Sequence, residues 1–165
     1  MYATNEWEKL KTVIVGSASG AQVPHVDISL RTVNYADVKN YNDIKVGHYP
    51  QVVIDEANED LEEFANFLKG EGVKVLRPQQ TCPPLYYDYC PRDLVFLHAD
   101  VAVAAPMSIQ ARHENYKNIE MHIPGLKIAP RCKMPTLYNM DCVGDPDTLA
   151  LTEIAPSFDA ANTIR

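Results

Sequence analysis

The 165-residue sequence contains no apolar run of about 18 residues, so nothing in it reads as a membrane span. Its first residues, Met1-Tyr2-Ala3-Thr4-Asn5-Glu6-Trp7, carry neither a basic stretch nor an apolar core, so no secretory signal is expected and the predicted location is cytoplasmic. Basic residues are in deficit: 15 Lys and Arg against 22 Asp and Glu leave a formal charge of −7. A nucleic-acid partner would be repelled, and cationic small molecules become the more natural ligands. The four cysteines are too sparse for a disulfide framework and include no C-x-x-C pair, which argues for reduced thiols and against a structural zinc site. The segment Gly16-Ser17-Ala18-Ser19-Gly20 lacks both the Gly-Lys-Ser/Thr ending of a phosphate loop and the G-x-G-x-x-G spacing, and reads as a flexible exit from a strand. No histidine pair has metal-ligand spacing, so His98 and His113 are given ordinary hydrogen-bonding roles. Neither a metal nor a cofactor is called for.

What is present suits one α/β or α+β unit with a real core, since 46% of residues are hydrophobic and 22% charged. The β-branched run Thr12-Val13-Ile14-Val15 predicts a buried strand, with Trp7 and Leu10 packing over its end. Residues 21–50 show no sustained period and read as a long loop that covers a site. From Pro50 to Lys69, Ile54, Ala57, Leu61, Phe64, Ala65 and Leu68 follow the 3.6-residue period of a helix, with Gly70 at its C′ position and an acidic outer face. Val73–Leu76 reads as a strand, and 94–97 with 101–105 as a hairpin turning at His98-Ala99-Asp100. A short helix is expected over Ile109–Ile119, bringing Arg112 and Tyr116 to one face. Brief strands are expected at 127–129 and 149–154.

Two carboxylates draw notice as chemistry. Asp93 closes Tyr89-Cys90-Pro91-Arg92-Asp93 at the mouth of an apolar strand, where it is either a rigid acceptor for a guanidinium or a turn residue paired with Arg92. Asp159 follows Pro156-Ser157-Phe158 and precedes two alanines, a place for a carboxylate that orients a base or binds a cation, or for an ordinary loop aspartate or N-cap. Cys90 stands near Arg92, which would lower a thiol pKa, but no histidine accompanies it in a nucleophile motif.

Six segments in order resemble the arginine-dependent amidinotransferases over nearly the whole chain. They are Asn5-Glu6-Trp7 leading to Val13-Ile14-Val15-Gly16, the acidic helix ending in Gly70-Glu71-Gly72-Val73, and Pro91-Arg92-Asp93. Then come Ala105-Pro106-Met107 with Arg112, Pro135-Thr136-Leu137-Tyr138, and Phe158-Asp159-Ala160-Ala161. The resemblance implies an α/β propeller of the pentein type, with only its N-terminal modules in residues 1–165. It also implies transfer of the amidino group of L-arginine to an amine acceptor through an amidino-cysteine intermediate, with release of L-ornithine. By motif match, Asp93 and Arg112 are expected to bind substrate, and Asp159 to be the catalytic acidic partner of a histidine. That histidine and the nucleophilic cysteine are expected outside these residues, so the chain alone should be inactive. Asn162, where the glycine-accepting branch carries aspartate, leans toward antibiotic or toxin biosynthesis. A guanidine hydrolase such as arginine deiminase, or a non-catalytic small-molecule binding module of the same fold, are the alternatives. The acceptor amine and the oligomeric state, homo-oligomer included, stay open.

Overall fold

The computed structural model describes residues 2–81, 83–129 and 156–163. The expected strand at 149–154, the 135–138 motif and Cys82, Cys132 and Cys142 lie outside them. Strand β1 (Thr12–Ile14) pairs in parallel with β4 (Lys74–Leu76), in the register Thr12↔Lys74 to Ile14↔Leu76. A parallel pair needs a crossover, and the periodic segment supplies it as helix α2 (Gln51–Gly70). Ala65 and Leu68, with Leu61, seal one hydrophobic cluster against Val13, Val15, Val73 and Val75.

The end of α2 falls later than its first glycine suggests. Gly70 is still helical, and the left-handed residue is Gly72 at φ +79°. The Gly72 and Val73 amides return to the Lys69 and Leu68 carbonyls, both at 3.0 Å, a Schellman closure that uses Gly72 as C′. The apolar stripe is also narrower than expected. Phe64 is 52% exposed and Phe67 63%, because the line Leu61–Ala65–Leu68 faces the strands and leaves the phenylalanines on its flank. The acidic residues of the helix are solvated, and Glu62 reaches Arg77 at 2.6 Å and Lys69 at 3.3 Å. Trp7 and Leu10 do not cap β1. Both are exposed, and Trp7 lies in a turn where Asn5 Oδ1 accepts the Trp7 and Glu8 amides.

The Gly16 segment is no loose exit. The Ser17 amide donates to the Asp88 carbonyl at 3.1 Å, and a Cβ on Gly16 would collide with the Tyr89 backbone. Glycine is required there for close backbone approach. Residues 21–50 are likewise structured: β2 (Gln22–Val23) pairs antiparallel with β3 (Gly47–His48), and between them lies helix α1 (Ile28–Asn34). Asp27 caps α1 by accepting the Leu30 amide at 2.9 Å. Leu30 is buried with Val23, Tyr86, Ile109 and Ala111 in a second cluster. Asp27→Ala should therefore cost about 1 kcal/mol of stability, read as an earlier urea midpoint; an unchanged midpoint would show the cap to be idle.

The hairpin forms as expected. Strands β5 (Val95–His98) and β6 (Val101–Ala104) pair antiparallel, with Ala99 at φ +51° in the turn, and β7 (Lys127–Ile128) adds in parallel to β6. The helix expected over 109–119 is instead a chain of 3-10 turns at Gln110–Arg112, Asn115–Asn118 and Glu120–His122. The reason is competition for hydrogen bonds. Asn115 Nδ2 donates to the Tyr87 carbonyl and Asn118 Nδ2 to Asp88 Oδ2, both at 2.6 Å, while the Asn118 carbonyl accepts the Gln79 amide at 2.8 Å. A third cluster joins Leu94, Ala102, Ala105, Met107, Ile119, Ile123 and Ala160, with Phe158 packed against it. Among the described residues, no helix is long and apolar enough to cross a membrane.

Candidate active site

The run Tyr86-Tyr87-Asp88-Tyr89 leads into a 3-10 turn at Pro91–Asp93. Proline presets the first helical φ, and the Leu94 amide closes the turn on the Pro91 carbonyl at 3.1 Å. Asp93 is thereby held at the foot of β5. Its carboxylate does not meet Arg92, which is largely exposed and lies 4.0 Å from Glu6. Instead Asp93 Oδ2 accepts Arg112 Nη1 at 2.9 Å.

Arg112 comes from the turn Gln110–Arg112 and is 2% exposed. Burying a guanidinium is expensive unless its charge and N–H groups are met. Here Nη2 donates to the Cys90 carbonyl at 3.3 Å and Nη1 to the Tyr87 hydroxyl at 3.5 Å, and Cζ lies 4.5 Å from the Tyr87 ring centroid, a cation–π contact, while buried Nε has no partner among the described residues. Tyr87 in turn stacks on Tyr89 at 4.3 Å. Burial raises the Tyr87 phenol pKa, and Arg112 partly offsets the rise.

The second carboxylate arrives from far along the chain. The Phe158 amide donates to the Pro106 carbonyl at 3.2 Å, and the Ser157 and Ser108 hydroxyls bond at 2.6 Å. Asp159 then sits at the N-cap position of the turn Ala160–Asn162, but its side chain makes no capping bond. Burial raises its pKa, the Arg112 charge draws it back, and the Asp93 charge raises it again. The three residues singled out in the sequence thus share one electrostatic neighbourhood.

Cys90 shares that neighbourhood without being activated. Burial, and secondarily Asp93, push its thiol up to about 11 against the relief given by Arg112, so it is protonated at neutral pH. His113 bonds the Met107 carbonyl through Nε2 at 2.8 Å, an ordinary structural role, and His98 lies alongside Phe96 at the end of β5. Among the described residues, no group of three or more His, Cys, Asp or Glu could hold a metal ion.

Sequence reasoning passed over Tyr87, the Cys90 carbonyl and Asp88. The signal available was three tyrosines in the four positions 86–89, one residue before Pro-Arg-Asp, a dense aromatic step beside a charged turn. Asp88 is 2% exposed, accepts from Asn118 on Oδ2, and has no partner for Oδ1 among the described residues. Burial raises its pKa, against the pull of Asn118 and then Arg112. A carboxyl raised in the folded state contributes stability that is full below its unfolded value, near 3.8, and is lost as pH climbs through the folded one. The unfolding free energy of Asp88→Asn, measured by urea from acid to neutral pH, should therefore gain on wild type as pH rises. Parallel profiles would remove that role.

No family model matches the sequence. Individual proteins do. The chain is 34% identical to inosamine-phosphate amidinotransferase 1 of Streptomyces glaucescens over an alignment of 178 positions, covering 98% of this chain and 51% of that protein. It is 31% identical to the mitochondrial glycine amidinotransferase of Danio rerio, covering 99% of this chain and 46% of the relative. Among solved structures, the inosamine-phosphate amidinotransferase of Streptomyces griseus superposes with a TM-score of 0.85 at 32% identity, over 99% of this chain and 52% of that one. An amidinotransferase of the saxitoxin biosynthetic pathway from Microseira wollei superposes with a TM-score of 0.73 at 25% identity. The chain spans about half the length of the curated relatives it matches. The likeness to amidinotransferases read from the motifs, and the α/β fold it implied, are borne out.

Proposed function

We propose that this chain, which matches amidinotransferases in sequence and fold over nearly all of its length, forms the guanidinium-holding part of an amidinotransferase active site. The observation that carries the reading is this two-level likeness, with the residues of the Pro-Arg-Asp and Phe-Asp-Ala-Ala segments gathered around one buried charge network. In the proposed reaction, a cysteine thiolate attacks the guanidinium carbon of L-arginine, L-ornithine leaves, and an amine acceptor takes the amidino group from the sulfur. Asp93 accepts N–H groups of the substrate guanidinium, and Asp159 orients the histidine that moves protons. Cys90, whose thiol burial pushes up to about 11, is a poor nucleophile at neutral pH. The nucleophile and histidine belong to residues beyond this chain, in the remainder of the length its relatives possess.

Membership of an antibiotic or toxin pathway is supported by Asn162 and by the relatives of streptomycete and saxitoxin-pathway origin. The test uses the full-length gene product, given L-arginine labelled at the guanidino carbon and a panel of amines, glycine and an inosamine phosphate among them. Acceptor-dependent ornithine and a labelled amidino product are expected. Citrulline formed without an acceptor would make the protein a guanidine hydrolase. Arginine bound without turnover would make it a binding module.

A further inference from the structure

The motif match gave Arg112 to the substrate, but its surroundings point elsewhere. With 2% of its surface exposed, the side chain has almost none left for a ligand. Its contacts are internal: Asp93 Oδ2 at 2.9 Å, the Cys90 carbonyl at 3.3 Å, and the face of Tyr87 at 4.5 Å. Asp93 is more open, with 20% of its side chain exposed.

We propose that Arg112 is a positioning residue that acts through Asp93, holding one carboxylate oxygen so that the other is left for the guanidinium of the substrate. The inference rests on the amidinotransferase reading and assigns Arg112 within it. A carboxylate accepts on two oxygens, and a free one rotates about its last torsion. A buried guanidinium on Oδ2 stops that rotation before substrate arrives, so the ordering entropy is spent in folding rather than in binding. Arg112 is chemically the same group as the substrate's head, and if loose it would compete for Asp93. The Tyr87 face and the Cys90 carbonyl prevent this by fixing the guanidinium from two further sides. Lysine could not reproduce the arrangement, because its single ammonium cannot span Asp93 and the Cys90 carbonyl as a planar fork.

The Arg112 charge also acts on Asp159, drawing its pKa down against burial and the Asp93 charge.

The experiment is a double-mutant cycle in the full-length protein with Arg112→Gln, Asp93→Asn and the pair, read both as kcat/KM for arginine and as arginine affinity by calorimetry. Arg112→Gln should lower kcat/KM roughly 30- to 300-fold, mostly through KM, and move the acid limb of the pH profile upward. In the Asp93→Asn background the same change should cost less than about 3-fold, because the residue it acts through is already gone. Losses that multiply in the double variant would mean that Arg112 touches substrate directly, and would overturn the proposal. So would an unchanged KM and acid limb accompanied only by a lower melting temperature. Arg112→Lys, which keeps the buried charge and loses the fork, carries the same cycle if the glutamine variant fails to fold. Wild-type protein that binds arginine without releasing ornithine would end the transferase reading, while the affinity cycle would still decide the role of Arg112.

Discussion

Asp159→Asn in the full-length protein is expected to slow formation of the amidino-cysteine intermediate about 10²- to 10⁴-fold, the range lost when positioned proton transfer fails, while arginine still binds. The expectation follows from where the carboxylate sits. Its side chain is not spent on capping the turn it begins, and it lies in a partly buried place where burial raises its pKa, Arg112 offsets part of that rise, and Asp93 adds to it. A carboxylate that makes no capping bond in that setting suits the imidazole of a histidine, which it would orient and stabilise as imidazolium. Asparagine keeps the shape and loses the charge. Single-turnover trapping of the intermediate by mass spectrometry, at arginine concentrations below and above saturation, reads the effect. Saturating arginine should not restore the rate, and a normal rate of intermediate formation would take the catalytic role away from Asp159.

Asp93→Asn should differ in kind. A charged hydrogen bond lost in a dry site is worth about 2–4 kcal/mol, so kcat/KM for arginine should fall roughly 30- to 1000-fold. Because the loss falls on binding, saturating arginine should partly restore intermediate formation. The structure adds a second reason for a large effect: asparagine would leave the buried Arg112 facing a neutral amide where it now has a carboxylate at 2.9 Å. Melting temperatures separate the two contributions, since only the second also weakens the fold. Unchanged arginine kinetics would reduce Asp93 to a structural partner of Arg112.

The parts of this architecture that could be read from sequence were those in which local pattern and long-range packing agree. Helix α2 carries its own period and glycine stop, and the β5–β6 hairpin its alternation and short turn. Helix α1 escaped because seven residues hold too little period to register, and its anchor, Leu30, is met by residues as distant as Tyr86 and Ile109. The 3-10 turns after Ile109 escaped because Asn115 and Asn118 look like indifferent helix residues until their tethers to Tyr87 and Asp88 are seen. At the site, Asp93 and Asp159 were legible as members of known motifs. Their convergence on Arg112 was not, since no local rule links a turn before β5 to a segment at residue 159. Nor was the burial of Arg112, since nothing local marks that arginine as enclosed.

The site's residues are anchored unequally in the three apolar clusters of the described residues. Leu94, next to Asp93, and both neighbours of Asp159, Phe158 and Ala160, belong to one cluster, whereas Ile109, which precedes the turn that carries Arg112, and Ala111 within it belong to the Leu30 cluster. The Arg112–Asp93 bond therefore ties the Leu30 cluster to the one beneath the two carboxylates.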